Sequence, residues 1–278
     1  MCAQHDLEHE VLDADTLHRR FPGYQLPPSM VAVYQPDAGI LLPERCIVAH
    51  VNAALRLGAE VHTREPVLEW GIDDGRGEGS VRVRTDRETY RARRLVVTAG
   101  SWARNLVPAL GELAVPERQV LLWTQPLRPE LFTPGTFPIF NMEANMEGAK
   151  GHYYGFPVYG VPGFKIGKYH HRHERVDPDD MDRECHPEDE AVLREAIRNY
   201  FPDADGPALA MKTCLFTNSP DEHFILDHHP DSREVALAAG FSGHGFKFCS
   251  VVGEIMAQLA LDGAAQLDIG MFRLGRFG

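Results

Sequence analysis

The sequence predicts a two-domain protein of the α/β plus α+β class, in which an open parallel-sheet domain is interrupted in sequence by a domain built on an antiparallel sheet. Three observations predict it. A helix followed by strands, the last ending in glycine, occurs over residues 43–100, and a buried strand, glycine-rich turn and helix follow from residue 235. Between them lies a stretch rich in Pro, Gly and aromatics, with short strand-like runs. The length of 278 residues accommodates one large or two modest domains.

Taken in order, Asp13-Ala14-Asp15-Thr16-Leu17 starts a short helix that places Leu17 and Phe21 on one face, and Pro22 and Pro27-Pro28 stop it. Residues 31–42 read as two short strands with a turn at Pro36–Gly39. Pro43 to Gly58 is an amphipathic helix carrying Ile47, Val51, Leu55 and Leu57, with Gly58 at the position just past its end. Residues 59–63 and the segment from Pro66 to Trp70 are expected strands, followed by a turn at Asp73–Gly77. Val81–Thr85 alternates as a half-exposed hairpin strand does, and Arg94–Gly100 is a buried strand. A helix, a meander and a return to a parallel core strand make the second half of a dinucleotide-type, Rossmann-like domain.

The middle third supplies short strands at Arg118–Trp123, His152–Pro157 and Gly163–Tyr169, then a helix over residues 186–201 with Pro187 in its first turn. Val235–Ala239 is a buried strand, Gly240–Gly245 a glycine-rich turn, and Phe246–Leu261 a helix.

Composition narrows the function. Lys+Arg is 28 against Asp+Glu 40, a formal net charge of −12, which repels phosphate backbones and argues against a nucleic-acid partner. No apolar run approaches the roughly 20 residues that span a bilayer, so no membrane is expected. Met1–Glu8 lacks the apolar core of a signal peptide, which leads to the expectation of a cytoplasmic protein whose five cysteines stay reduced. His170-His171-x-His173 lacks an accompanying carboxylate-supported cluster, so no metal is expected.

The turn GFSGHGFKF (Gly240–Phe248) is the sharpest chemical signal. Its glycines permit close approach of a ligand, the following helix offers free N–H groups, and His244 and Lys247 add donors. It suits an anion or a group that becomes anionic, although the spacing alone fits a tight strand–helix turn with a solvated lysine equally well. KTCLFTNSPDEHFILD (Lys212–Asp227) places Cys214 in a strand-like run before a polar turn.

These two segments, with DIGMFRLGRF, YYGFPVYGVPGFKIGKYH, VDPDDMDRECHPEDE and LVVTAGSWARNL, closely resemble the family of monomeric sarcosine oxidase and N-methyl-L-tryptophan oxidase, which are FAD-dependent and D-amino-acid-oxidase-like. The resemblance covers essentially the whole chain. It implies a partial, discontinuous FAD-binding (Rossmann-like) domain over residues 43–115 and 211–278, and an antiparallel-sheet substrate domain over residues 1–42 and 116–210. By resemblance, Cys214 bonds covalently to the flavin 8α position and Lys165 places a positive charge near flavin N5, where it favours oxygen reduction. Tyr154 and His170 surround the substrate amine, with Tyr169 competing for the latter position. His244 lies beside the flavin within the cofactor-binding turn of Gly243, Gly245 and Phe246. Lys247 binds the substrate carboxylate near the flavin pyrimidine oxygen, and Val67 gives a backbone contact to the adenine side. Phe216 stands where sarcosine oxidases carry a tyrosine. The family opens with a GxGxxG turn, and none occurs near this N-terminus. The resemblance therefore implies an N-terminally shortened member that binds FAD poorly.

The expected activity is oxidation of a secondary N-methyl amino acid by oxygen, giving formaldehyde, the primary amino acid and hydrogen peroxide, in a monomer. The alternatives are a flavin-poor inactive remnant, or an oxidase or dehydrogenase of another amine such as a cyclic imino acid or an Amadori compound.

Overall fold

A computed structural model describes residues 2–72, 81–145 and 148–278. In chain order its regular elements are β1 (Glu10–Asp13), α1 (Ala14–Arg20), β2 (Val31–Tyr34), α2 (Pro43–Arg56), β3 (Val67–Ile72), β4 (Val81–Thr85), β5 (Thr89–Ala92), β6 (Leu95–Val97) and α3 (Ala103–Leu106). Then follow β7 (Val115–Thr124), β8 (Phe140–Ala144), β9 (Gly151–Phe156), β10 (Phe164–Lys168), α4 (Pro187–Tyr200), β11 (Ala208–Asn218), β12 (Ile225–His229), β13 (Ser232–Ala239) and α5 (Cys249–Asp262). The chain divides into two compact units: Met1–Ile40, Arg118–Glu174 and Asp180–Cys214 form one, and Leu41–Glu117, Arg175–Asp179 and Leu215–Gly278 the other.

The first unit is built on an antiparallel sheet of strand order β11-β7-β10-β9-β8. Alternation along β10 decides its two faces. Phe164 and Ile166 are fully buried in an aromatic core with Phe132, Phe137, Leu193, Ile197 and Phe201, whereas Lys165 and Gly167 point to the opposite face. The register sets Lys165 opposite Trp123 on β7 and Phe156 on β9, and Gly167 opposite Leu121 and Tyr154. Helix α4 closes the core. Pro187 occupies its first turn, and His186 and Asp189 form a reciprocal cap.

Asp189 and Arg118 make the unit's buried ion pair, 2.8 Å long with side chains 0 % and 3 % exposed. Burial alone would raise the Asp189 pKa. Two hydrogen bonds from Arg118 and one from the His186 N–H outweigh it and hold the carboxyl well below the usual carboxylate range.

The second unit contains the parallel pair expected from sequence: β13 runs parallel to β6 and antiparallel to β12, in the order β12-β13-β6. Along β13, Val235, Leu237 and Ala239 pack to one side with Val97 and Ile225, and Ala236 and Ala238 to the other with Val252, Met256 and Leu259 of α5. Burial on both faces is why this strand reads as an unbroken apolar run. A separate three-stranded meander, β3-β4-β5, belongs to the same unit.

Several local expectations are corrected. Residues 40–42 form no strand: Leu42 is the N-cap of α2, and Pro43 begins that helix directly. Residues 59–63 pair with no strand among the described residues. His62 instead turns its ring to Glu65 and the Tyr90 hydroxyl, at 3.2 and 3.0 Å. The apolar stripe of α2 is not buried, because no described element covers Ile47, Val48 or Leu55. The expected turn at Asp73–Gly77 lies outside the described residues.

Replacing Asp189 by Ala removes the buried, two-bonded partner of the Arg118 guanidinium and leaves it, as counter-charge among the described residues, only the half-buried Glu174 carboxylate at 3.3 Å. The expected loss is about 3–5 kcal/mol of stability at neutral pH, read by urea denaturation. Because the native carboxyl titrates far below its unfolded value near ~3.9, the pair's contribution is present above that value and disappears only as pH falls further.

Candidate active site

In the first unit, the sheet face opposite the core gathers three of the residues singled out from sequence. Lys165 extends from the central strand, and its Nζ lies 5.1 Å from the Trp123 ring centroid and 5.0 Å from that of Phe156. Two residues further along β10, Gly167 presents bare backbone. The Tyr154 ring lies over it, so that a Cβ at 167 would stand 2.6 Å from both Cζ and the phenol oxygen. Cys214, the last residue of this unit, is close enough to interact electrostatically with both Lys165 and Tyr154.

The electrostatics of this face are specific. Burial pushes the Cys214 thiol up to about 11, and the Lys165 charge opposes that rise. Burial first, and then Cys214 and Tyr169, raise the Tyr154 phenol well above its ordinary value. At neutral pH the face therefore presents a neutral thiol, a neutral phenol and an ammonium.

The positions 169 and 170 diverge. The Tyr169 ring packs edge-on to Tyr154 at 5.1 Å and stacks on His152 at 4.5 Å. His170 sits in the turn after β10 with φ 52°, and its ring stacks on His173 at 5.4 Å. Tyr169 is thus the one brought beside Tyr154.

In the second unit, the turn after β13 is wound tightly: Gly240, Ser242 and Gly243 all have positive φ (61°, 47° and 78°). Buried Ser242 ties it down, donating its N–H to Thr217 O at 3.0 Å and accepting at Oγ from the Ser219 N–H at 3.2 Å. The His244 Nε2 lies 2.9 Å from Glu222 O, which assigns the proton to that nitrogen. Lys247 Nζ donates to His244 O at 2.9 Å, and the protein around it lowers its pKa by desolvation. Phe246 opens the 3-10 turn that leads into α5 and stays exposed. Val67 is the exposed first residue of β3.

The glycines serve packing first. A side chain at Gly243 would collide with the Phe216 ring, and one at Gly245 would come within 2.6 Å of Phe241 Cβ. Asp221 does not form an acidic pair with Glu222; it binds the Arg276 guanidinium at 2.7 and 3.0 Å.

A groove of about 640 Å³ runs from the carboxyl ends of β6 and β13 along α5, walled by Thr98, Phe241, Gly245, Cys249, Gly253 and Met256. The carboxyl ends of parallel strands are where open α/β sheets bind ligands. This groove has the size of a ligand site and an apolar, glycine-bearing wall suited to a flat ring system. None of its described lining residues is charged.

The model of the FAD dependent oxidoreductase (DAO) family matches residues 1–259. The chain belongs to that family. It is 40 % identical over 276 residues to a monomeric sarcosine oxidase of Bacillus sp. (strain NS-129), an alignment covering 98 % of this chain and 69 % of that protein. It is 32 % identical over 276 residues to an N-methyl-L-tryptophan oxidase of Yersinia pestis, covering 99 % and 71 %. Among solved structures, NikD, an amino acid oxidase of nikkomycin biosynthesis, superposes with a TM-score of 0.78 at 24 % identity, over 98 % of this chain and 70 % of that one. That likeness speaks for the fold. The chain is an FAD-dependent amine oxidoreductase of the sarcosine oxidase and N-methyltryptophan oxidase type, with FAD as its cofactor. No helix among the described residues is long and apolar enough to cross a membrane.

Trp123, Phe156 and Gly167 were not singled out from sequence. Only the strand register places them around Lys165 and Tyr154, and no motif spells that register out.

Alkylation of Cys214 by iodoacetamide, followed by peptide mass spectrometry, is expected to accelerate with pH without levelling off until near pH 11. In Lys165→Met the curve moves to higher pH, because the charge that favours the thiolate is gone. A plateau by pH 8 would contradict the burial of this thiol.

Proposed function

We propose that this protein oxidises the N-methyl carbon of a secondary N-methyl amino acid, of the sarcosine or N-methyl-L-tryptophan type, giving formaldehyde, the primary amino acid and hydrogen peroxide. The observation that carries this reading is the convergence of Cys214, Lys165 and Tyr154 on one sheet face. The relatives whose names give these two substrates support the choice of class. We further propose the first unit as the substrate domain and the second as the FAD-binding domain.

When bound, FAD accepts a hydride equivalent from the amine and returns the electrons to oxygen. The chain's own residues orient and polarise. Cys214 Sγ is the atom that would hold the cofactor covalently at its 8α carbon. Its neutral state at pH 7 means that the nearby Lys165 charge is what favours the reactive thiolate. The same ammonium, fixed on the face of a rigid sheet, favours any negative charge that develops next to it, as superoxide does when oxygen is reduced. Tyr154 stays protonated and can donate to an amine or carboxylate; Tyr169 or His170 completes the substrate pocket. Lys247, anchored through His244 O, offers an ammonium to the substrate carboxylate, and desolvation strengthens such a charge pair. His244, Gly243, Gly245, Phe246 and Val67 are the proposed cofactor contacts in the second unit.

The test is a peroxide-coupled panel of sarcosine, N-methyl-L-tryptophan, L-proline and a fructosyl amine with the flavin-loaded protein. Peroxide is expected with an N-methyl amino acid, together with stoichiometric formaldehyde. Turnover confined to proline or to the fructosyl amine, or no turnover of any amine, would overturn the assignment. In Lys165→Met, reoxidation of reduced flavin by oxygen should slow by about a hundredfold or more, a preorganised-charge effect, while anaerobic reduction by the amine changes much less. Stopped-flow absorbance separates the two.

A further inference from the structure

We propose that Arg276, acting through Asp221, is a positioning residue for His244: the pair fixes the turn whose Glu222 carbonyl holds the imidazole by its Nε2–H. What this placement does for the reaction rests on the proposed role of His244 as a cofactor contact.

The hydrogen bond from His244 Nε2 to Glu222 O, 2.9 Å long, is made to a residue in an unusual conformation. Glu222 has φ 61°, in the left-handed region that a residue with a Cβ occupies only at a cost. Such a conformation persists where its surroundings over-determine it. Here they do. The Glu222 N–H donates to Ser219 O at 3.2 Å, and the His223 N–H donates to Asp221 Oδ1 at 3.2 Å. Arg276 clasps the turn on both sides of Glu222. Its Nε donates to Asp221 Oδ2 at 2.7 Å, and its Nη2 donates to Asp221 Oδ1 and to His223 O, both at 3.0 Å. A guanidinium makes these bonds together because its donors lie in one rigid plane, which an ammonium lacks.

Arg276 is itself anchored. Its side chain is largely buried, and its Nη1 donates to Arg273 O at 3.1 Å. Arg273 in turn binds Asp227 on β12 at 2.6 Å, and the Leu274 N–H binds the same carboxylate at 2.9 Å. The segment that follows α5 is thus fastened to the sheet before it reaches the turn. The two-bonded guanidinium holds the Asp221 carboxyl well below the usual carboxylate range, so the pair stays charged at neutral pH.

For the imidazole the result is specific. A carbonyl only accepts, so the Glu222 bond commits a ring proton to Nε2 and leaves Nδ1 as the acceptor of the neutral ring. The Phe224 ring, with its centroid 5.0 Å away, supports the imidazole from another side. Which nitrogen His244 keeps as an acceptor for a bound group is therefore set by an ion pair that does not touch the imidazole.

The test has two arms. The first needs neither flavin nor activity. The chain has 14 histidines, so with 15N-labelled histidine the His244 signals are assigned by their absence from His244→Gln. In the native protein the His244 Nε2–H proton is expected as a resolved signal protected from exchange with water. In Arg276→Met and in Asp221→Asn its exchange should speed up about tenfold, the factor that one net hydrogen bond confers, while the backbone amides of β12 and β13 keep their protection. Arg276→Lys, which keeps the charge without the planar fork, should fall between. Should Arg276→Met fail to fold, Asp221→Asn and Arg276→Lys carry the same comparison. The second arm is the visible absorption of the flavin-loaded protein. His244→Gln should displace the flavin bands, and Arg276→Met should displace them in the same direction and by less.

A native His244 proton on Nδ1, or an Nε2–H whose protection survives both Arg276→Met and Asp221→Asn, overturns the inference. So does a loss of protection shared by β12 and β13, which marks general loosening, and so do flavin bands displaced by His244→Gln but untouched by Arg276→Met. If His244→Gln leaves the bands in place, the proposed cofactor contact of His244 fails, while the exchange measurement still decides whether Arg276 and Asp221 hold the ring.

Discussion

The antiparallel register of β10 between β7 and β9 is the constraint on which the proposed chemistry depends. Phe164 and Ile166 must enter the aromatic core, and that requirement alone commits Lys165 and Gly167 to the other face. A slip of one residue would bury the ammonium in a shell of phenylalanines and expose Ile166, a change whose cost leaves one register. Core packing thus fixes the sheet face from which the charge extends. The two cross-strand aromatics then flank it, and bare backbone at Gly167 leaves room for the Tyr154 ring.

The same face sets an electrostatic balance. Burial that makes a good flat platform also suppresses ionisation: the Cys214 thiol and the Tyr154 phenol are both driven towards their neutral forms. The Lys165 charge is the counterweight at the thiol. It opposes the rise that burial imposes on the Cys214 thiol. In the proposed function, that one charge acts on both cofactor attachment, by favouring the thiolate, and oxygen reduction, by favouring a developing anion.

Much of the fold was legible in the sequence, for reasons specific to each element. Helix α4 announced itself by Pro187 in the first turn and an apolar stripe at Ala196 and Tyr200. Strand β13 did so by a continuous run that both of its faces bury, and Gly240 by ending that run. Strands β1, β5 and β12 were not legible, because each is short and lacks a clean alternation; β8 does alternate (Phe140, Met142 and Ala144 against Asn141 and Glu143) but spans only five residues. Residues 59–63 failed in the opposite way. Their composition suits a strand, but side-chain bonds from His62 to Glu65 and Tyr90 take the place of a ladder. At the site, Cys214, Lys165 and Tyr154 could be named from local segments. Trp123 lies 42 positions before Lys165 in the chain, and only pairing brings the two together. The glycines at 243 and 245 were legible as a turn, yet their neighbours, the Phe216 and Phe241 rings, were not.

The account stands on the claim that the sheet face bearing Lys165 and Cys214 is the face that receives the flavin. Proteolysis of the flavin-loaded protein after denaturation, with mass mapping of the yellow peptide, tests it directly. The account predicts flavin carried by the peptide containing Cys214 and by none containing Cys2, Cys46, Cys185 or Cys249. Flavin attached at one of those four cysteines, or released in full by acid, would contradict it.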